Sequence, residues 1–294
     1  MSAWGNLPIV VAVDGSESAA AAALWAAAEA ARRHTALLVF TAYGYEDFAY
    51  GGKIYPPSDW LKIKEAAADD LLRETRSTLE AAVPGLEITA ETSDRGPVPA
   101  LLEVSERARV LVTGEPVNAL QGLFSGSPDV DLAARAHCPI VVVRGAETAA
   151  DAPVVVGVDG SPLSEAAIAW AFEEASLRNA PLIALHAWHD GDTDGLFTEG
   201  NVHFQGEAVE DADRRLVAQR QAGWQERYPD VKVERLVERD KPRHRLLAAS
   251  RTAQLIVVGS RGRGGFAGLV LGSTSQALLH HAGCPVMVVR TENV

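Results

Sequence analysis

The residues best suited to chemistry form one run, Gly259-Ser260-Arg261-Gly262-Arg263-Gly264-Gly265-Phe266-Ala267-Gly268-Leu269-Val270-Leu271-Gly272-Ser273-Thr274-Ser275. It starts where the apolar segment Leu255-Ile256-Val257-Val258 ends and finishes where a helix begins. Glycines there let backbone N–H groups turn inward and approach a ligand closely, and a helix start adds unpaired N–H donors at the positive end of its dipole. The chemistry this favours is the holding of an anion, phosphate above all. Ser273 and Ser275 can add hydroxyl donors, and Arg261 and Arg263 can neutralise charge. The run is not a Walker loop, because no Gly-Lys-Ser/Thr ending is present. Gly262 to Ala267 matches the dinucleotide-binding pattern by letter, but it follows the fourth strand and does not open a helix at once.

A second constellation, Asp159-Gly160-Ser161, stands at the end of another apolar segment. A carboxylate there either contacts a ligand or shapes the turn before a helix. No set of nucleophile, base and orienting acid stands out, so no catalytic residue is assigned. His137-Cys138 and His280-His281-Ala282-Gly283-Cys284 have no common structural zinc spacing, and no metal site is expected. Histidines that end a helix complement its dipole. Trp25 and Trp170 read as core, and the two cysteines as small buried packing rather than a disulfide framework.

These residues need elements to position them, and the elements repeat. Val10-Val11-Ala12-Val13-Asp14-Gly15-Ser16 recurs as Val155-Val156-Gly157-Val158-Asp159-Gly160-Ser161, with Trp25 matching Trp170, Gly114 matching Gly259, Gly126-Ser127 matching Gly272-Ser273 and Cys138-Pro139 matching Cys284-Pro285. The first copy is one residue shorter between Gly114 and Gly126. Two domains follow, residues 1–146 and 147–294, with a linker near 145–152. Within each copy short β-branched runs alternate with helical segments, the pattern of an α/β domain whose parallel sheet carries helices on both faces. In the second copy strands are predicted near 153–158, 181–187, 231–237, 254–259 and 285–289. Ser161 caps a helix that has Pro162 at its first position and runs to about Arg178.

Composition narrows the classes. The chain has 294 residues, 47% hydrophobic and 22% charged, which is globular composition. Its net charge of −12 is shared by both halves and argues against a broad nucleic-acid surface. The longest apolar run, Ala19 to Ala28, is ten residues, short of the roughly 18 needed to span a bilayer. The amino terminus has no signal-like segment, so a cytoplasmic protein is expected.

The spacing of Gly259, Gly262, Gly272 and Ser273 resembles the ATP-binding form of the universal stress protein family, in which a glycine is followed by two residues, a glycine, nine residues, then glycine and serine or threonine. The likeness covers nearly the whole chain, as a tandem of two such domains. It implies two Rossmann-like domains, each a five-stranded parallel sheet of order 3-2-1-4-5, with nucleotide at the carboxyl ends of strands one and four, a topological switch point. It places Asp159 near ribose and adenine, the backbone of Ala187 at the adenine edge, and Gly259, Gly262, Gly272 and Ser273 around the phosphates; the residues beside them, Gly160, Arg261, Thr274 and Ser275, complete the expected site. It implies ATP as ligand, with Mg2+ as its possible companion, a homodimer, and a regulatory protein partner whose identity the residues do not give. The last strands, near 140–143 and 286–289, have apolar edges that need cover, and the family pairs edges there.

The first copy keeps Asp14, Gly114, Gly126 and Ser127 but departs elsewhere. Glu115-Pro116-Val117 replaces Ser260-Arg261-Gly262, and Pro128-Asp129 replaces Thr274-Ser275. Proline lacks an N–H, valine disfavours positive φ, and a carboxylate ~5 Å from a phosphate charge costs on the order of 3 kcal/mol at an effective dielectric of ~20. A degenerate first site is expected. The function implied is a nucleotide-dependent stress-response regulator without efficient catalysis; the alternative is a slow ATPase or phosphotransferase using the same loop.

Overall fold

A computed structural model describes residues 7–44, 58–115, 128–145, 149–188, 223–262 and 271–290. The chain divides into two compact units, Met1–Arg144 and Gly145–Val294. In the first, β1 (Ile9–Ala12), α1 (Glu17–Arg33), β2 (Leu37–Ala42), α2 (Ser58–Ala82), β3 (Ile88–Ser93), α3 (Pro97–Ser105), β4 (Val110–Gly114), α4 (Pro128–Arg135) and β5 (Ile140–Val143) alternate along the sequence. All pairings are parallel: β2 lies between β1 and β3, and β4 between β1 and β5, giving the order 3-2-1-4-5.

The second unit repeats this with β6 (Val154–Gly157), α5 (Pro162–Arg178), β7 (Leu182–Trp188), β8 (Val233–Arg239), α6 (Pro242–Ala249), β9 (Leu255–Gly259), α7 (Ser273–His281) and β10 (Val286–Val289). Its order, β8-β7-β6-β9-β10, is again 3-2-1-4-5 within the unit. Ile9, Val10 and Val11 in β1, and Val154, Val155 and Val156 in β6, are buried in succession. Side chains alternate faces along a strand, so consecutive burial means that both faces of each central strand are covered. Cys138 and Cys284 are buried, and burial pushes the Cys138 thiol up to about 12, which makes it an inert packing group.

The helix that leads out of each first strand is built by the same local rules in both units. Ser16 and Ser161 sit in extended backbone as N-caps and accept from the amides of Ala19 and Ser164. Pro162 stands where a missing N–H costs nothing. Both helices end on a left-handed residue, His34 at φ 51° and Asn179 at φ 50°. The inward stripe of α1, Ala19, Ala22, Ala23, Ala26, Ala27 and Ala30, follows helical spacing with side chains small enough for close approach to the sheet. Within that buried face runs an ion pair that sequence reading passed over: Glu29 with Arg33 at 2.6 Å, repeated as Glu174 with Arg178 at 3.0 Å. Its i,i+4 spacing, the same in both copies, was the available signal. Removing the cap by Ser161→Ala should cost about 1 kcal/mol, because the Ser164 amide loses its acceptor; denaturant unfolding reads this as a lower midpoint at unchanged slope.

Candidate functional site

In the second unit the strand order reverses between β6 and β9, so their carboxyl ends open a crevice that no crossover helix fills. On the β6 side the chain turns through Asp159 and Gly160, the latter at φ 77°, a conformation that side-chain-bearing residues rarely adopt. Asp159 Oδ1 accepts from the Ser161 amide at 2.9 Å, so half of the carboxylate closes the turn. Ser164, buried in the first turn of α5, accepts from the Gly160 amide and donates to the Ser161 carbonyl, a supporting role invisible in the motif.

On the β9 side Gly259 lies against the first turn of α5, where a Cβ would stand 2.9 Å from Leu163 Cβ and 3.1 Å from its backbone. Gly114 meets Ser18 of α1 in the same way, so this glycine serves helix–sheet approach in both units. The Ser260 amide donates to Val289 and its carbonyl accepts from Gly272, each at 2.8 Å, which ties the two ends of the Gly-rich run together. Gly262 faces Asp159: a Cβ on it would lie 2.6 Å from Asp159 Oδ2. Arg261 and Gly262 are exposed, and Arg263 to Val270 lie outside the described residues.

Gly272 is the N-cap of α7, at φ −71° and ψ 149°, and the first intrahelical bond runs from the Gln276 amide to its carbonyl. The amides of Ser273, Thr274 and Ser275 therefore form the helix's open first turn, which has no intrahelical acceptors. Ser273 is exposed and Thr274 partly so, whereas Ser275 is buried and its hydroxyl donates to the Gly259 carbonyl at 2.8 Å. The Ser275 side chain thus spends its proton on the fold, and its amide is what faces the helix end. The φ of Gly272 is one that any residue adopts, and what the glycine supplies is space. A Cβ there would sit 3.4 Å from Arg261 Cα and 3.8 Å from the Gly262 amide nitrogen, filling the gap between helix end and strand end. Ala187 in β7 is buried, and the Gly157–Leu185 register carries it level with Asp159.

At the equivalent place in the first unit the acidic side chains bond to their own neighbours. Asp14 is exposed, and its Oδ1 accepts from both the amide and the hydroxyl of Ser16. The Glu115 carbonyl accepts from Ser18 Oγ at 2.8 Å, and its carboxylate pairs with Arg144 at 2.5 Å. Asp129, 5% exposed in the first turn of α4, accepts from Thr113 Oγ1 at 3.4 Å. Burial pushes its carboxyl up to about 7, with Thr113 and Arg144 pulling it down and Glu115 pushing it up. The two acids were expected to present two full negative charges; Glu115 is instead neutralised by Arg144, and Asp129 is only fractionally ionised near neutrality, so the repulsion is weaker than point charges suggest. Pro116, Val117, Gly126 and Ser127 lie outside the described residues.

Among the described residues no group of three or more His, Cys, Asp and Glu side chains could hold a metal ion, and no helix is long and apolar enough to cross a membrane. His280 and His281 occupy the last turn of α7.

Two tandem open α/β units, each with a Gly-Ser turn after its first strand and a reversal of strand order between its first and fourth strands, define a doubly wound α/β class of fold. The chain belongs to the universal stress protein family, whose model matches residues 6–144 and 152–290. It is 40% identical over 290 residues to a universal stress protein of Mycobacterium tuberculosis strain H37Rv, covering 96% of each chain, and 38% identical over 290 residues to one of Mycolicibacterium smegmatis, again covering 96% of each. A universal stress protein from Archaeoglobus fulgidus shares the fold at a TM-score of 0.73 and 18% identity, over 98% of this chain and 97% of that one.

Proposed function

We propose that the second unit binds ATP and that the bound nucleotide biases a conformation or a partner contact, making the chain a stress-response regulator without efficient turnover. The observation that carries this is the meeting, at the switch point, of Asp159, Gly262 and the Gly272 helix start, with a methyl-sized gap between backbone groups at the phosphate end. Asp159 would take the sugar or base and Ala187 the adenine edge. The Gly262 amide and the open amides of Ser273, Thr274 and Ser275 would take the phosphates, with Ser273 Oγ adding a hydroxyl and Arg261 a compensating charge. Mg2+ would accompany the phosphates and offset their charge. The reading includes a cytoplasmic homodimer that passes the nucleotide state to a regulatory protein.

One ATP per chain is expected, because in the first unit Glu115 pairs with Arg144 and Asp129 bonds Thr113 at the positions where the second unit has Ser260 and an open helix start. Native mass spectrometry of the purified chain titrated with ATP checks this. Two equivalent sites, lost separately on Asp14→Ala and Asp159→Ala, would show the first unit to be competent as well. A turnover assay with magnesium separates a regulator from a slow ATPase.

A further inference from the structure

Val158, the residue before Asp159, is held at both its backbone N–H and its carbonyl. Its amide donates to the Leu185 carbonyl at 2.9 Å, and its carbonyl meets the His186 imidazole, with Nδ1 2.6 Å from the oxygen. A carbonyl only accepts, so Nδ1 carries a proton in this contact whether the ring is neutral or charged. Strand pairing between β6 and β7 ends at Gly157–Leu185, so the imidazole extends the hold of β7 on β6 to the residue adjoining Asp159. His186 is only 4% exposed, which shields the bond from exchange with water.

The two units differ at this point. In the first, the Val13 amide makes the same bond to Phe40 at 2.9 Å, but Thr41, a shorter side chain, occupies the position of His186. There Asp14 is exposed and folded back on the Ser16 hydroxyl, whereas Asp159 is half-buried with Oδ2 toward Gly262. We infer that His186 is a positioning residue of the nucleotide site: by holding the Val158 carbonyl from the β7 side, it keeps the Asp159 carboxylate turned into the crevice toward β9. This rests on the ATP reading of the second unit. His186 itself touches no ligand.

Two measurements test it. Long-range 1H–15N spectra of the wild-type chain read the imidazole tautomer directly; a proton on Nδ1 is expected, and a ring protonated on Nε2 alone overturns the inference. Calorimetric titration with Mg-ATP then compares His186→Leu with His186→Asn, whose Nδ2 occupies the place of Nδ1 and donates in its stead. The leucine variant should bind about tenfold more weakly, and the asparagine variant should return to within about threefold of wild type. A purely structural histidine would lower the melting temperature in both variants and leave the affinity of the folded protein unchanged, and that result overturns the inference. So does an asparagine variant as weak as leucine. Should His186→Leu fail to fold, His186→Thr, the residue of the first unit, takes its place. A wild-type chain that binds no ATP removes the functional reading and the role of His186 together; tight wild-type binding matched by the leucine variant removes the role of His186 alone.

Discussion

Gly272→Ala should lower the ATP affinity of the second unit by about a hundredfold or more while leaving its fold intact. The fold survives because φ −71° and ψ 149° suit alanine, and the new methyl would make ordinary contacts at 3.4 to 3.8 Å with Arg261, Ser260 and Gly262. Binding does not survive, because that methyl occupies the gap between the helix start and the Gly262 amide. Losing two backbone hydrogen bonds to a charged phosphate, at roughly 1.5 to 3 kcal/mol each, amounts to at least a hundredfold. Gly259→Ala is the contrasting control. Its Cβ would press against Leu163 at 2.9 Å, so α5 must shift and the unit should lose stability before it loses ligand. Calorimetry on both variants, beside their melting temperatures, separates ligand space from packing. Unchanged ATP affinity in folded Gly272→Ala would mean that the phosphates lie elsewhere.

Asp129→Asn should stabilise the first unit strongly at about pH 8 and hardly at all near pH 4. The folded carboxyl titrates at about 7, against an ordinary value of 3.8. Below the ordinary value both states are protonated and the group contributes nothing. As pH rises from there toward 7, the unfolded chain releases the proton that the folded unit keeps, so stability falls by about 1.4 kcal/mol per pH unit and levels off above 7. The accumulated cost is on the order of 4 kcal/mol. Asparagine cannot ionise and keeps both a donor and an acceptor beside Thr113, which removes that cost. Denaturant unfolding of wild type and variant at the two pH values checks the sign. A gain that is equal at both, or larger in acid, would show that Asp129 is ionised in the folded protein under the attraction of Arg144.

Much of the fold was legible because its determinants are local. Ser161, Pro162 and Arg178 delimit α5 where capping rules place them, and Leu255-Ile256-Val257-Val258 is a strand buried on both faces because its apolar run has no polar alternation. Strand ends moved by one or two residues, as with β8 at Val233–Arg239 in place of 231–237, since its burial is too shallow to mark an edge in the pattern. The ion pairs Glu29–Arg33 and Glu174–Arg178 went unread because i,i+4 charges usually decorate a solvated face, and nothing local says that this face is covered.

The sequence by itself determined the repeat, the parallel α/β class and the placement of a glycine-rich run between a strand end and a helix start, since each depends on residue type and spacing along the chain. Only the tertiary structure decided what the side chains there do. Glu115 meets Arg144, 29 residues on, because β4 and β5 are neighbours, and His186 meets Val158, 28 residues back, because β6 and β7 are. Gly259 serves helix packing, Ser275 serves the Gly259 carbonyl, and Gly272 keeps open a methyl-sized space. Such roles follow from distances between elements remote in sequence, and a one-dimensional pattern carries the elements without the distances.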